Sequence, residues 1–103
     1  MNVIVISSSP NTNGLTAACA TSAAEGARLA GGDVQEIRLN DLAIRQCAAC
    51  DNGWGTCRTE HECQKQDEFQ PLHARIRQAD AYVIVTPVYW GEMSESAKAF
   101  TDR

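Results

Sequence analysis

The chain has few of the features that mark membrane, secreted or nucleic-acid-binding proteins. No segment approaches the ~20 consecutive apolar residues that a membrane-spanning helix needs. The N-terminus has no basic region, and its apolar run is too short for a secretory signal. The 9 Lys and Arg residues are outnumbered by 13 Asp and Glu, and the net charge of -4 argues against nucleic acid or an anionic membrane as the main partner.

Length and cysteine usage set further bounds. The 103 residues are enough for one small domain, so residues 1–103 are expected to form a single domain. There are no internal repeats or low-complexity tracts. The five cysteines are an odd number, which disfavours a disulfide framework. They indicate a cytoplasmic protein whose thiols are reduced or metal-bound.

The first loop carries many hydroxyl groups and no Lys or Arg. It follows the apolar run Val3–Ile6 and precedes an alanine-rich helical pattern. Free N–H groups and the helix dipole favour an anion at such a helix start. The loop hydroxyls belong to Ser7, Ser8, Ser9 and Thr12, with Thr16 just beyond. The sequence therefore predicts a phosphate held by hydrogen bonds rather than by charge.

Hydrophobic periodicity predicts an α/β sandwich with a parallel sheet. Cys19 falls in the apolar pattern of the first helix and is expected to be a core residue. The expected strands are 2–6, Val34–Leu39 and Ala81–Thr86, and the expected helices are Leu15 to about Ala30, Asp67–Gln78 and Glu95–Arg103, the last capped by Ser94.

The two loops that follow the first and third strands are expected to meet. Ligands in parallel sheets bind beyond the carboxyl ends of strands, where the strand order reverses. Ser7–Thr16 and Pro87–Gly91 both follow such ends. If the first and third strands are neighbours, the two loops line one crevice.

Residues 40–66 show no clear periodicity and hold four of the five cysteines. Their spacing, C-x2-C-x6-C-x5-C, joins Cys47, Cys50, Cys57 and Cys63. Four thiolates can hold zinc or an iron-sulfur cluster if the loop folds around it. Unligated thiols and redox-active thiols are the other interpretations.

Four blocks of the sequence resemble one family in the right order. They are Ser8-Ser9-Pro10 with Asn13-Gly14 and Thr16, Cys47-Ala48-Ala49-Cys50, Thr86–Gly91 with Ser94, and Lys98–Arg103. They resemble the NADPH-dependent FMN reductase and iron-sulfur flavoprotein group of the flavodoxin-like superfamily. The resemblance implies a three-layer sandwich with strand order 2-1-3. It also implies FMN as cofactor and NADPH or NADH as electron donor.

The resemblance assigns the flavin contacts by position. Ser9 matches the serine of the family's phosphate loop, Ser8 stands at its glycine, and Asn11 replaces its basic residue. Tyr89 and Trp90 would border the isoalloxazine ring, adding stacking and shielding it from water. The implied cofactor-binding residues are Ser7, Ser8, Ser9, Asn11, Asn13, Gly14, Leu15, Thr16, Thr86, Pro87, Val88, Tyr89, Trp90 and Gly91.

The sequence departs from the family in two ways. Iron-sulfur members have a cysteine where Gly53 stands here, so the family's four-cysteine pattern is not met. Family members also continue beyond the position of Arg103, so the chain resembles the N-terminal portion of a longer fold whose later strands are missing. The third strand would then be an apolar edge, and such edges pair with other chains. We therefore expect either a non-native end to the chain or a homo-oligomer, a dimer or larger, that covers this edge.

Three functional hypotheses follow. The first is an FMN-binding oxidoreductase that passes electrons from NADPH or NADH to a small-molecule acceptor such as free flavin or a quinone; it needs no catalytic side chain of its own because the chemistry belongs to the flavin. The second is a flavin and iron-sulfur electron-transfer or redox-sensing protein. The third, of another class, is a zinc-binding cysteine loop without enzymatic activity.

Overall fold

A parallel three-stranded sheet organises the chain. The computed structural model describes residues 1–103. Strands β1 (Asn2–Ser7), β2 (Asp33–Arg38) and β3 (Ala81–Val85) are arranged in the order β2-β1-β3. Both pairs are parallel. The predicted strand order is confirmed, with β1 in the centre.

Five helices and one 3-10 turn complete the structure. The 3-10 turn, Leu39–Asp41, follows β2 directly. The helices are α1 (Leu15–Leu29), α2 (Cys50–Gly53), α3 (Thr56–Glu60), α4 (Phe69–Gln78) and α5 (Glu95–Thr101). Helices α2 and α3 lie in the cysteine-rich segment, where the sequence shows no clear periodicity. None of the helices is long and apolar enough to cross a bilayer.

The central strand contributes to two separate hydrophobic clusters, one on each face of the sheet. Ile4 and Ile6 pack with Leu72 of α4 in one cluster. Val3 and Val5 belong to the other cluster, with two buried alanines of α1. Successive residues of a strand point to opposite faces, so the apolar run of β1 is buried on both. The molecule is therefore the three-layer, flavodoxin-like sandwich that the sequence predicts.

Helix α1 packs on the sheet through small residues. Its buried residues are Ala20 and Ala24, which lie four positions apart on one face of the helix. Cys19 is exposed, so the expectation that it lies in the core is wrong. The buried stripe is offset by one position from Cys19, and its buried side chains are alanines.

The start of α4 is set by side-chain hydrogen bonds. Asp67, where the sequence places the helix start, lies just outside it and accepts a hydrogen bond from the amide of Phe69 at 2.9 Å. Its carboxylate therefore accepts a hydrogen bond from one of the unpaired N–H groups of the first turn.

The outer edge of β3 is open. Ala81, Tyr82 and Val83 are exposed, and β3 pairs only with β1. The expected apolar edge is present in the structure.

Candidate functional site

The loops after β1 and β3 leave the sheet side by side. Ser7 is paired with Val85 in the β1–β3 register. The amide of Ser8 donates to the Val85 carbonyl at 3.0 Å, and the Ser8 hydroxyl donates to the same oxygen at 2.9 Å. Both loops therefore emerge at one edge of the sheet, as expected, while the crevice that they would line together stays a prediction.

The three serines of the first loop have different roles. Ser8 is fully buried, and its hydroxyl is committed to Val85, so this side chain joins the two loops. Ser9 accepts a hydrogen bond from the amide of Asn11 at 3.2 Å and keeps its hydroxyl hydrogen for another acceptor. Ser7 Oγ lies 3.5 Å from the Ile37 carbonyl, at the limit of a hydrogen bond.

The N-terminus of α1 has no side-chain cap. Gly14 occupies the N-cap position, and no side chain accepts a hydrogen bond from the first turn. Helix α5 differs, because the Ser94 hydroxyl accepts from the amide of Ala97 at 3.3 Å. The Asn11 side chain packs so close to Gly14 that a Cβ there would lie 2.7 Å from Asn11 Nδ2. The first loop thus presents free amides to a polar, glycine-lined opening.

The remaining residues of the first loop are more accessible. The Asn11 side chain accepts from the amide of Asn13 at 3.2 Å, which fixes the turn before the helix. Leu15 is exposed, and Thr16 is half-buried near the helix start. Thr16 is thus the second residue of α1, and its contact with a phosphate stays a prediction.

The second loop presents its aromatic side chains outward. The Thr86 hydroxyl donates to the Pro87 carbonyl and accepts from the amide of Ser94, which ties this loop to the start of α5. Trp90 and Gly91 have φ angles of 52° and 78°, as in a type I′ turn. Trp90 is fully exposed, and Val88 and Tyr89 are also exposed.

The Trp90 backbone is strained. A bulky residue with positive φ is uncommon, and such strain often accompanies a functional loop. The turn is closed by reciprocal backbone hydrogen bonds of 2.8 and 3.0 Å between Tyr89 and Glu92. The ring of Trp90 is therefore held out from the sheet edge by a defined turn.

A cavity of about 440 Å³ adjoins the first loop on the α1 side. Ser7, Ser9 and Asn11 line it together with Thr12 and Arg38, whereas none of Thr86–Gly91 does. Arg38 is not among the residues predicted from the sequence, although its position at the end of β2, opposite Ser7 in the register, is the signal that places it here.

Ser96 was also missed by sequence analysis. Its hydroxyl lies 2.9 Å from the Asn40 side-chain oxygen and 3.3 Å from the Ser8 carbonyl. This single hydroxyl connects α5 and the 3-10 turn to the first loop. The hydroxyl pattern of α5 gave no sign of this role, since the contact joins segments that are far apart in sequence.

A second polar centre lies around Arg103. Its guanidinium forms a bidentate pair with the Asp67 carboxylate at 2.8 and 2.7 Å and donates to the carbonyls of Arg45 and Lys65. It also lies 4.6 Å from the centre of the Phe69 ring. The Arg103 side chain is fully buried and that of Asp67 is only 7% exposed.

The Arg103 pair shifts both pKa values. Burial raises the pKa of Asp67, but hydrogen bonds from Arg103 and from the amides of Arg45 and Phe69 outweigh it and lower the pKa to about 2. Burial lowers the pKa of Arg103, yet its hydrogen bonds to Asp67 and Cys63 produce a net rise. Both groups are therefore held in their charged forms.

The four loop cysteines surround one small cavity of about 40 Å³. Arg103 also lines it, and its Nε donates to Cys63 Sγ at 3.2 Å. No three His, Cys, Asp or Glu side chains are grouped closely enough to hold a metal ion. The cavity is close to the ~30 Å³ that one water occupies in the liquid. As arranged, Cys47, Cys50, Cys57 and Cys63 do not fit an iron-sulfur cluster, and their ligation of a metal stays a prediction.

Comparison with known proteins identifies relatives of this chain, structures with a similar fold and a matching family. The chain is 30% identical over its whole length to an iron-sulfur flavoprotein of Archaeoglobus fulgidus, covering 48% of that protein. It is 29% identical, again over its whole length, to an iron-sulfur flavoprotein of Methanocaldococcus jannaschii, covering 51%. The chain thus spans about half the length of the curated relatives it matches.

A solved structure supports the fold. The crystal structure of RosB with bound 8-demethyl-8-formylriboflavin-5'-phosphate superposes with a TM-score of 0.77 at 19% identity, covering 97% of this chain and 40% of that one. Finally, the family model for NADPH-dependent FMN reductase matches residues 1–103. The chain therefore belongs to the NADPH-dependent FMN reductase family.

Proposed function

We propose that the chain binds FMN at the carboxyl edge of its sheet and acts in an oxidoreductase that passes electrons from NADPH or NADH to a small acceptor. Family membership supports this function. The observation that carries it is the uncapped start of α1 beside a hydroxyl-rich loop, at the same sheet edge as the aromatic turn after β3.

The first loop holds the phosphate in this proposal. The free amides at the start of α1 point their positive ends at an anion, as helix N-termini commonly do in nucleotide-binding proteins. The Ser9 and Thr16 hydroxyls add hydrogen bonds. Ser8 does not contact the phosphate in this proposal. Its hydroxyl holds the first loop against the end of β3.

The second loop borders the ring end of the nucleotide. Pro87 makes the chain rigid at the end of β3, and the turn at Tyr89–Glu92 presents two aromatic side chains. Their faces would pack on a flavin and keep water from it. The bound flavin supplies the hydride chemistry, so the side chains need only bind, orient and shield it.

The proposal extends to the electron acceptor, the cell compartment and the oligomeric state. The acceptor is a small molecule such as free flavin or a quinone, and the compartment is the cytoplasm, where the five free thiols stay reduced. The open edge of β3 is covered by a second copy of the chain, since exposed apolar edges pair readily. Sedimentation velocity over a range of concentrations tests this association.

Titration of the purified chain with FMN, followed by flavin absorbance and fluorescence, tests the function. Bound flavin should then lose its visible absorbance on anaerobic addition of NADPH or NADH. Protein that stays colourless and ignores FMN at high concentration contradicts the proposal. Zinc, iron and labile sulfide are measured on the same sample, because stoichiometric zinc without flavin would support the metal-binding hypothesis instead.

A further inference from the structure

Arg38 brings a positive charge to a loop that has none of its own. It is the last residue of β2 and lies opposite Ser7 in the register. Its side chain therefore starts at the same sheet edge as the first loop. Its Nη2 donates to the Ser9 carbonyl at 3.2 Å, and the side chain is 31% exposed.

The contact with Ser9 affects the loop itself. A carbonyl oxygen that faces an anion would repel it, whereas a carbonyl that accepts from a guanidinium has its negative end compensated. Ser9 also carries the hydroxyl that is free to donate to a ligand. Arg38 therefore contacts the backbone of the residue whose hydroxyl remains free to bind a ligand.

The guanidinium retains capacity for a ligand. Nη2 serves Ser9, while Nη1 has no hydrogen-bond partner within the chain. The side chain lines the 440 Å³ cavity with Ser7, Ser9, Asn11 and Thr12. Hydroxyl and amide donors beside one guanidinium match the needs of a phosphate monoester.

Two carboxylates near Arg38 could pair with its guanidinium in place of a ligand. Asp41 Oδ2 lies 3.8 Å from Arg38 Nε, beyond hydrogen-bond distance, and is 66% exposed. Glu36 also lines the cavity, but its carboxylate pairs with Arg28 at 2.7 Å. Asp41 is therefore the carboxylate that competes directly with an incoming anion.

We propose that Arg38 is the cationic residue of the flavin phosphate site. It positions the Ser9 backbone and places its charge beside the loop hydroxyls, and in this way it favours FMN over riboflavin, which lacks the phosphate. The proposal rests on the proposed function, since it concerns the same nucleotide site. It also accounts for a loop that lacks its own basic residue.

FMN and riboflavin differ by the phosphate group, so comparing their affinities separates the effect of Arg38 on the phosphate from its effect on the rest of the site. We expect Arg38→Gln to raise the dissociation constant for FMN about tenfold at low salt, as loss of a charged hydrogen-bond donor does, and to leave that for riboflavin unchanged. Arg38→Lys should recover most of the loss, and the salt dependence of FMN binding should become shallower in Arg38→Gln.

Two further variants complete the test. Arg77→Gln is the matched control, because it makes the same charge change at an exposed arginine of α4 and should leave both affinities unchanged. Asp41→Asn removes the competing carboxylate and should tighten FMN binding about twofold without affecting riboflavin. It keeps the proposal testable if Arg38→Gln fails to fold.

The outcomes separate this proposal from the function on which it depends. Equal loss of FMN and riboflavin binding in Arg38→Gln would show a purely structural role and overturn the proposal for Arg38 alone. Unchanged FMN binding in both Arg38→Gln and Asp41→Asn overturns it as well. Wild-type chain that binds neither ligand overturns the proposed function, and the Arg38 assignment with it.

Discussion

The Arg103 guanidinium lies 2.7 Å from the Asp67 carboxylate and joins the segment after α5 to the start of α4. The same guanidinium donates to the Arg45 carbonyl and to Cys63 Sγ. One side chain thus connects two helices with both ends of the cysteine-rich segment. That segment has little hydrophobic core of its own, so its position depends on this polar centre.

Asp67→Asn should destabilise the fold by about 3 kcal/mol, because it leaves the Arg103 charge buried without a counter-ion. Urea unfolding followed by circular dichroism measures the change. Arg77→Gln is the control, since its ion pair with Glu62 is 64% exposed on both sides; it should cost less than about 0.5 kcal/mol. Equal destabilisation by the two variants would contradict this role of Asp67.

The same pair gives the stability a pH dependence. Asp67 has its pKa lowered from 3.8 to about 2, so the folded state binds its proton less readily than the unfolded state. The resulting stabilisation is complete above pH ~4 and is lost as the pH falls towards ~2, amounting to about 2 kcal/mol. Unfolding of wild type and Asp67→Asn over this range measures it. A slope that is the same in both would assign the acid sensitivity to other groups.

Ser9→Ala and Thr16→Ala should each weaken FMN binding about fivefold, since each removes a hydroxyl worth about 1 kcal/mol to an anion. Ser8→Ala is the informative comparison. It removes a buried hydrogen bond to Val85 and should lower the unfolding midpoint more than the other two. Unchanged FMN affinity in both single variants and in their double variant would argue against the phosphate-loop assignment.

Trp90→Gly should leave the fold intact or make it slightly more stable, because glycine tolerates the positive φ at this position. It should weaken FMN and riboflavin binding by the same factor, since both ligands carry the ring that Trp90 would cover. Trp54→Gly is the control, because Trp54 lies in the cysteine-rich segment and should not change either affinity. Retained binding of both flavins by Trp90→Gly would remove Trp90 from the site.

The strands could be predicted because they follow from short-range patterns, whereas the strand order was implied by the family resemblance. The apolar runs of β1 and β3 and the turn residues after each are visible in the sequence, and parallel strands bring their carboxyl ends to one edge. The position of Cys19 could not be predicted reliably. A helix rich in small residues has no strong apolar face, so an offset of one position changes which side meets the sheet.

The polar contacts were harder to predict for a different reason. Arg38 reaches Ser9 across 29 positions, and Arg103 reaches Asp67 across 36. Hydrophobic periodicity reports which face of an element is buried, but not which distant charge it meets. The register of β1 and β2 places Arg38 opposite Ser7, and this register could not be read from the sequence alone.

The central place of β1 has a kinetic consequence. Its contacts with β2 close a loop of about thirty residues, as the Ser7–Ile37 contact shows with a separation of 30. Its other edge pairs with β3, and the Asp80 carboxylate just before β3 accepts a hydrogen bond from the Asn2 amide across 78 positions. Longer loop closures cost more entropy and slow folding. During synthesis one edge of β1 therefore has no strand partner in this sheet until residues 81–85 have been added.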